Sequence, residues 1–466
     1  MDGIDSSDVI GRIDREEDQY LAELKDYLRI PSVSTDPAYR DDVLRCANFL
    51  KDRMSEAGLD TEMIEDPGGG YPMVYGEWLN APGKPTVLFY GHYDVQPPDP
   101  LELWRNDPFE PVVEGRDLVA RGATDDKGQS YAHLKAVAAM LAERGSLPLN
   151  VKFIAEGEEE SGGQAIEHFV TQDAGAKLGA DIVIIADSAM YGPGQPSVIY
   201  GLKGMAYMEI KVTGPVRDLH SGSFGGAVTN PLNALAHIVS KLHDADTGRV
   251  QIPGFYDQVR PLAAWEREAF GSLPFDAEAY RAELEVPVLN GEVGYTTKER
   301  VWGRPTCDVN GIFGGYAGQG AKTVLPSWGG AKVSMRLVPD QDPVDIARRF
   351  TDYVHAVAPR GVTVDVTDHH GGEPVLVELD GPLVQAALDG LADIWTTPYK
   401  VREGGSIPIV STFSRVLGAP ILLAGFGLPD DRLHSPNEKF NIDNYYGGIR
   451  ATVRMLERMA TVTSEA

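Results

Sequence analysis

The chain has 466 residues, 42% of them hydrophobic, which is more than one typical core accommodates and points to two domains. Its 69 acidic against 42 basic side chains give a formal charge of -27, which argues against nucleic acid and anionic membranes as partners. Two cysteines, Cys46 and Cys307, exclude a disulfide framework or a thiolate zinc site, and with no basic-then-apolar leader the expected setting is the reducing cytoplasm.

Apolar residues at helical spacing (Tyr20, Leu21, Leu24, Leu28) predict a helix over 14–28, stopped by Pro31. A second is expected over 39–57, with Gly58 as its C-terminal stop. Residues 73–77 and 86–90 read as strands. A short strand at 118–120 enters Arg-Gly-Ala-Thr-Asp-Asp-Lys-Gly, and a helix over 129–144 ends at Gly145. Strand and helix alternate to Asp187, the rhythm of a mostly parallel sheet. From Met205 the pattern changes. Strands at 206–212, 308–313, 331–338 and 362–367, with helices after Pro231 and over 346–357, give the βαββαβ order of a ferredoxin-like α+β domain. Residues 244–305 do not fit that order and read as an irregular, partly helical insertion. The first rhythm then resumes with a helix over 383–394, a strand at 421–424 and a helix over 446–459. The expected class is therefore α/β, with one domain from 1–204 and 373–466 and an inserted domain from 205–372.

Chemistry-bearing residues gather where the apolar strands end. His92 and Asp94 follow 86–90, Glu158, Glu159 and Glu160 follow 151–155, Asp187 follows 182–186, and His434 follows 421–424 after a loop. Open α/β sheets place their sites at such ends. Each signal has a plain alternative: an Asp before a helix is a favoured N-cap, consecutive acids are a solvated face, and a lone His is often structural. Together, two histidines and three carboxylates suit a co-catalytic pair of zinc or manganese ions. A carboxylate such as Asp125 can bridge two cations, and of two adjacent acids one can bind metal while its neighbour moves protons. His220-Ser221-Gly222 lies in the inserted domain and makes a poor hydrolase triad, and no phosphate-cradling loop appears.

The combination of Gly-His-Tyr-Asp-Val-Gln-Pro, Arg-Gly-Ala-Thr-Asp-Asp-Lys-Gly, Glu-Gly-Glu-Glu-Glu-Ser-Gly, Asp-Leu-His-Ser-Gly and Arg-Glu-Gly-Gly-Ser-Ile-Pro resembles the aminoacylase/carboxypeptidase/carnosinase family of di-metal amidohydrolases. Arg336-Leu-Val-Pro and His434-Ser-Pro-Asn-Glu-Lys resemble its cytosolic non-specific dipeptidase branch. The resemblance implies that His92, Asp125 and Asp187 hold one metal and Asp125, Glu160 and His434 the other. It implies that Asp94 orients His92, that Glu159 is the general base and that the Asp125–Asp126 peptide is cis. It further implies that His220 reaches into the site of a partner subunit, and that Arg336, His370, Arg402, Ser406 and Thr323 grip a small peptide substrate. Glu158 departs from an apolar residue common in relatives and reads as neutral. The implied protein is a homodimer whose inserted domain is lid and dimer interface. The implied reaction is dipeptide hydrolysis with two Zn or Mn ions, the alternative being deacylation of N-acyl amino acids or N-acyl diamines.

Overall fold

The structure, a computed structural model, describes residues 5–405 and 407–462, with the side chains of all of these except 173–176, 370 and 408. The backbone separates into two compact units.

The first unit gathers the described residues of Met1–Tyr200, Val377–Val401 and Pro408–Ala466. Its sheet runs in the order Asp60–Ile64, Met73–Trp78, Asn150–Glu156, Thr86–His92, Ile182–Ile185, Ile421–Leu423, then the strand that begins at Ser197. Thr86–His92 lies parallel to Asn150–Glu156 on one side and to Ile182–Ile185 on the other, and Ile421–Leu423 continues the parallel block. The outer strands are antiparallel, so the sheet is mixed rather than mostly parallel. The reason is local: Asp60–Ile64 and Met73–Trp78 are joined by a short linker without the crossover helix that a parallel pair requires.

Apolar side chains on both faces make these strands central. Val87, Phe89, Val151 and Phe153 join one core with Tyr20, Leu24, Leu50, Val137 and Leu456 from the helices Ser7–Leu28, Arg40–Glu56, Lys127–Arg144 and Ile442–Met459. The opposite face packs Tyr90 edge-on against Phe413, 5.5 Å between ring centroids, in the helix Pro408–Leu417. Gly58 and Gly145, at φ +95° and +67°, stand at the two predicted stops. The first helix begins at Ser7, earlier than its pattern predicts, because the buried Val9 and Ile13 extend the apolar face ahead of an acidic stretch that masks it.

The second unit gathers the described residues of Gly201–Leu376 and Arg402–Ile407. Its antiparallel sheet runs Thr306–Gly314, Trp328–Leu337, Gly204–Thr213, Thr363–Gly372. Ala206, Met208, Ile210 and Val212 pack against Leu235 and Ile238 of Pro231–Ser240 and Ile346 and Phe350 of Pro343–Val357. Met205, Tyr207, Glu209 and Lys211 alternate onto the other face. Between the first helix and Thr306 lie three short helices, Ala264–Ser272, Ala277–Glu283 and Thr297–Gly303. The unit takes in Arg402–Ile407, a segment expected in the first domain. No helix among the described residues is long and apolar enough to cross a membrane.

Candidate metal centre

The parallel block sets the centre's position. Thr86–His92 ends in register with Asn150–Glu156, His92 opposite Glu156. Gly91 precedes the histidine because a Cβ there would come within 2.6 Å of Ser130 Cβ and 2.7 Å of Asp126 Oδ2. After Asn150–Glu156 a single 3-10 turn, Glu159–Ser161, presents Glu159 and Glu160. Asp187 follows Ile182–Ile185, and His434, in the left-handed region at φ +58°, lies in the loop beyond Ile421–Leu423.

Asp125 comes from the loop leading into Lys127–Arg144, and its peptide bond to Asp126 is cis. A buried carboxylate that sequence reasoning assigned no role, Glu438, cages this loop. Its Oε1 accepts the backbone N–H groups of Thr124 at 2.9 Å and Asp125 at 3.1 Å. Its Oε2 accepts Gly122 N at 2.9 Å and Arg121 Nη1 at 2.8 Å. The only signal for it was its place inside the His-Ser-Pro-Asn-Glu-Lys motif.

Around Asp125 the five expected ligands meet. His92, Asp125 and Asp187 form one group able to hold a cation, and Asp125, Glu160 and His434 form another. His92 Nε2 is 3.1 Å from Asp125 Oδ1 and 3.9 Å from Asp187 Oδ2. His434 Nε2 is 3.0 Å from Asp125 Oδ2 and 3.5 Å from Glu160 Oε2. The two oxygens of Asp125 thus face different histidines. On the far side of its ring, His92 Nδ1 is 3.1 Å from the Asp94 carbonyl oxygen and 3.4 Å from its carboxylate Oδ1. Asp94 Oδ2 in turn accepts Ser34 Oγ at 2.6 Å and Glu160 N at 3.1 Å. Gln96 Nε2 donates to Glu160 Oε2 at 2.7 Å.

Burial makes this acidic cluster unstable as a set of free anions. Burial, together with neighbouring carboxylates, pushes Glu159 and Glu160 up to about 8 and Asp187 up to about 6. Asp125 moves the other way: hydrogen bonds from His434 and His92 outweigh its burial and hold it well below the usual carboxylate range. The Asp125 contact raises His434 to about 9. A buried cluster whose Glu159, Glu160 and Asp187 are pushed up for want of positive charge fits two divalent cations, and its nitrogen and oxygen donors without thiolate fit zinc or manganese. The Glu159 carboxylate has no hydrogen bond or ion pair among the described residues. Glu158, the departure from an apolar residue common in relatives, has a local role: its carboxylate accepts Tyr71 N at 2.9 Å and Ala165 N at 3.2 Å.

The substrate-binding candidates belong to the second unit. A short ribbon pairs His220 with Val324, and Ser221 N donates to the Thr323 carbonyl at 3.2 Å, so exposed His220 and Thr323 lie close together. The register sets Arg336 opposite Met205 and His370 opposite Tyr207. Arg402 is buried against the carboxylate of buried Glu266. Ser406 and the side chain of His370 lie outside the described residues.

Residues 88–458 match peptidase family M20/M25/M40. The chain belongs to this family. It is 34% identical over 452 residues to a Cys-Gly metallodipeptidase of Candida albicans, covering 93% of each chain. Human carnosine dipeptidase 1 superposes with a TM-score of 0.84 at 30% identity, over 97% of this chain and 98% of that one. An M20 family metallo-carboxypeptidase of Sulfolobus solfataricus gives 0.84 at 34% identity, over 95% and 99%. The residues that sequence reasoning passed over include Glu438, which holds the Asp125 loop, Gln96, which holds Glu160, and Ser34, which holds Asp94.

Proposed function

We propose that this family member is a di-metal dipeptidase, hydrolysing the amide bond of small peptides that carry a free C-terminal carboxylate. The observation that carries the reading is the pair of ligand groups sharing Asp125 at the ends of the parallel strands. The two dipeptidases among the relatives support the substrate class.

His92, Asp125 and Asp187 would hold one Zn or Mn ion, and Asp125, Glu160 and His434 the other. When bound, the pair supplies Lewis acidity that activates water and polarises the scissile carbonyl. The Asp94 carbonyl accepts a hydrogen bond from Nδ1–H of His92, which would leave the Nε2 lone pair free for the cation held with Asp125 and Asp187. Gln96 fixes one oxygen of Glu160. Glu159, free of other partners, accepts the proton of the attacking water and returns it to the leaving amine. The second unit serves as lid and homodimer contact, and its exposed His220, whose Nδ1 is engaged by Gly222 N, polarises the carbonyl in the partner's site. Its Arg336 takes the substrate carboxylate. Two unpaired buried cysteines support residence in a reducing compartment such as the cytoplasm.

The test is hydrolysis of a dipeptide panel beside N-acyl amino acids, before and after EDTA, with zinc or manganese restored. Dipeptide cleavage lost to the chelator and recovered with metal is expected. Chelator-resistant cleavage, or preference for the N-acyl amino acids, overturns the reading.

A further inference from the structure

The second unit holds a buried cation that has no ion pair among the described residues. Lys203 joins the strands Ser197–Leu202 and Gly204–Thr213 and is 3% exposed. Its backbone N–H donates to the Gly405 carbonyl at 3.1 Å, which ties it to the segment of Arg402. Among the described residues its ammonium reaches one acceptor, the Arg300 carbonyl, at 3.4 Å. That is long for a charged donor, and no described carboxylate lies within ion-pair distance. Arg336 is in the same state: half-buried, with no ion pair or hydrogen bond among the described residues. The register pairs Arg336 with Met205. Lys203 precedes that strand, two residues before Met205, which brings it near Arg336. Burial, then the nearby Arg336, lowers the Lys203 ammonium to about 8 against the weaker pull of Asp308 and Glu403. Arg402 differs, because its guanidinium is already balanced by Glu266.

Burying like charges near one another is costly when the nearest carboxylates, Asp308 and Glu403, stand too far off to pair with them, and an anion delivered as ligand removes the cost. We propose that Lys203 and Arg336 together seat the C-terminal carboxylate of the substrate, and that Arg402, locked to Glu266, positions the 402–407 segment instead of gripping the ligand. This rests on the dipeptidase reading and adds a specificity residue to it.

The experiment compares a dipeptide with its C-terminal amide on metal-loaded enzyme, for wild type, Lys203→Met and Lys203→Arg. Lys203→Met should lower kcat/KM for the free acid about 10- to 100-fold, through KM, the scale of one lost charged hydrogen bond. The amide should change less than about 3-fold, and Lys203→Arg should keep the wild-type acid-to-amide ratio within a few-fold. The ratio is internal to each preparation, so partial misfolding of a variant cancels. An unmoved ratio, or an equal fall for both substrates, overturns the role of Lys203. Wild type that cleaves the dipeptide with an unmoved ratio in Lys203→Met sinks only this assignment, whereas wild type without chelator-sensitive cleavage sinks the dipeptidase reading and this one with it.

Discussion

Replacing Glu438 with glutamine should damage the metal centre without touching a ligand. Glu438 and Arg121 are both buried and form an ion pair at 2.8 Å. Removing one charge of such a pair costs about 3–5 kcal/mol, because the other is left uncompensated. The amide adds a second fault. Each carboxylate oxygen now accepts two donors, Thr124 N with Asp125 N and Gly122 N with Arg121 Nη1. Whichever side receives the glutamine NH2 faces donors it cannot satisfy. On one side the Asp125 and Thr124 backbone loses its acceptor, on the other Gly122 and Arg121 do, so either way the loop that carries the shared carboxylate loses half its anchor. Loss of such an outer partner costs about 10- to 100-fold in metal affinity. Chemical denaturation at fixed zinc, with a competition titration against a calibrated chelator, reads both quantities. A Glu438→Gln protein within about 1 kcal/mol of wild type, with unchanged metal affinity, would refute the cage.

Glu159→Gln should keep both metals by elemental analysis and lose about 10²–10⁴-fold in kcat, the range of a general base; near-wild-type turnover would remove Glu159 from that role. Asp125→Ala should lose both ions, not one, since each ligand group contains it; retention of one stoichiometric metal would argue against bridging. A pH effect is expected far from the ligands. His133 is stacked on Phe89 at 4.5 Å and its Nδ1 is 2.8 Å from Thr452 Oγ1. Since that hydroxyl donates its proton to the Gly448 carbonyl, Nδ1 is the donor, and burial lowers the ring to about 3. The folded protein therefore holds a neutral ring while the unfolded chain takes up a proton below about 6.5, so this stability is complete above pH 6.5 and falls as pH drops toward 3. Between pH 7 and 5 the loss is about 2 kcal/mol. His133→Phe should lack this increment in the stability difference between those pH values, and an unchanged difference would exclude the neutral ring.

His92, Glu160 and Asp187 were legible because each follows a strand whose side chains are apolar on both faces, a pattern that requires burial, whereas Asp125 rested on its motif. The ferredoxin-like order was legible from alternation such as that at Ala206, Met208, Ile210 and Val212. What sequence hid was long-range. Nothing near Glu438 says that its partners are Gly122, Thr124 and Asp125, more than three hundred residues away. The hairpin edge of the sheet was hidden too, because Asp60–Ile64 is polar and partly exposed. The grouping of Arg402 with the second unit follows from Glu266, an acid in an insertion whose local pattern carried no chemistry.

The strand order also governs when the catalytic apparatus can exist during synthesis. Ile421–Leu423 slots between Ile182–Ile185 and the Ser197 strand, and His434 and Glu438 come after it. A nascent chain that has made His92, Asp125, Glu160 and Asp187 therefore presents a gap in the middle of its sheet, with unsatisfied backbone on either side, until residues 421–423 have left the ribosome. Closing that gap joins residues more than two hundred positions apart, the kind of step that is slow and exposes edges to aggregation. Premature termination before residue 421 should thus yield insoluble product and not a weakened enzyme.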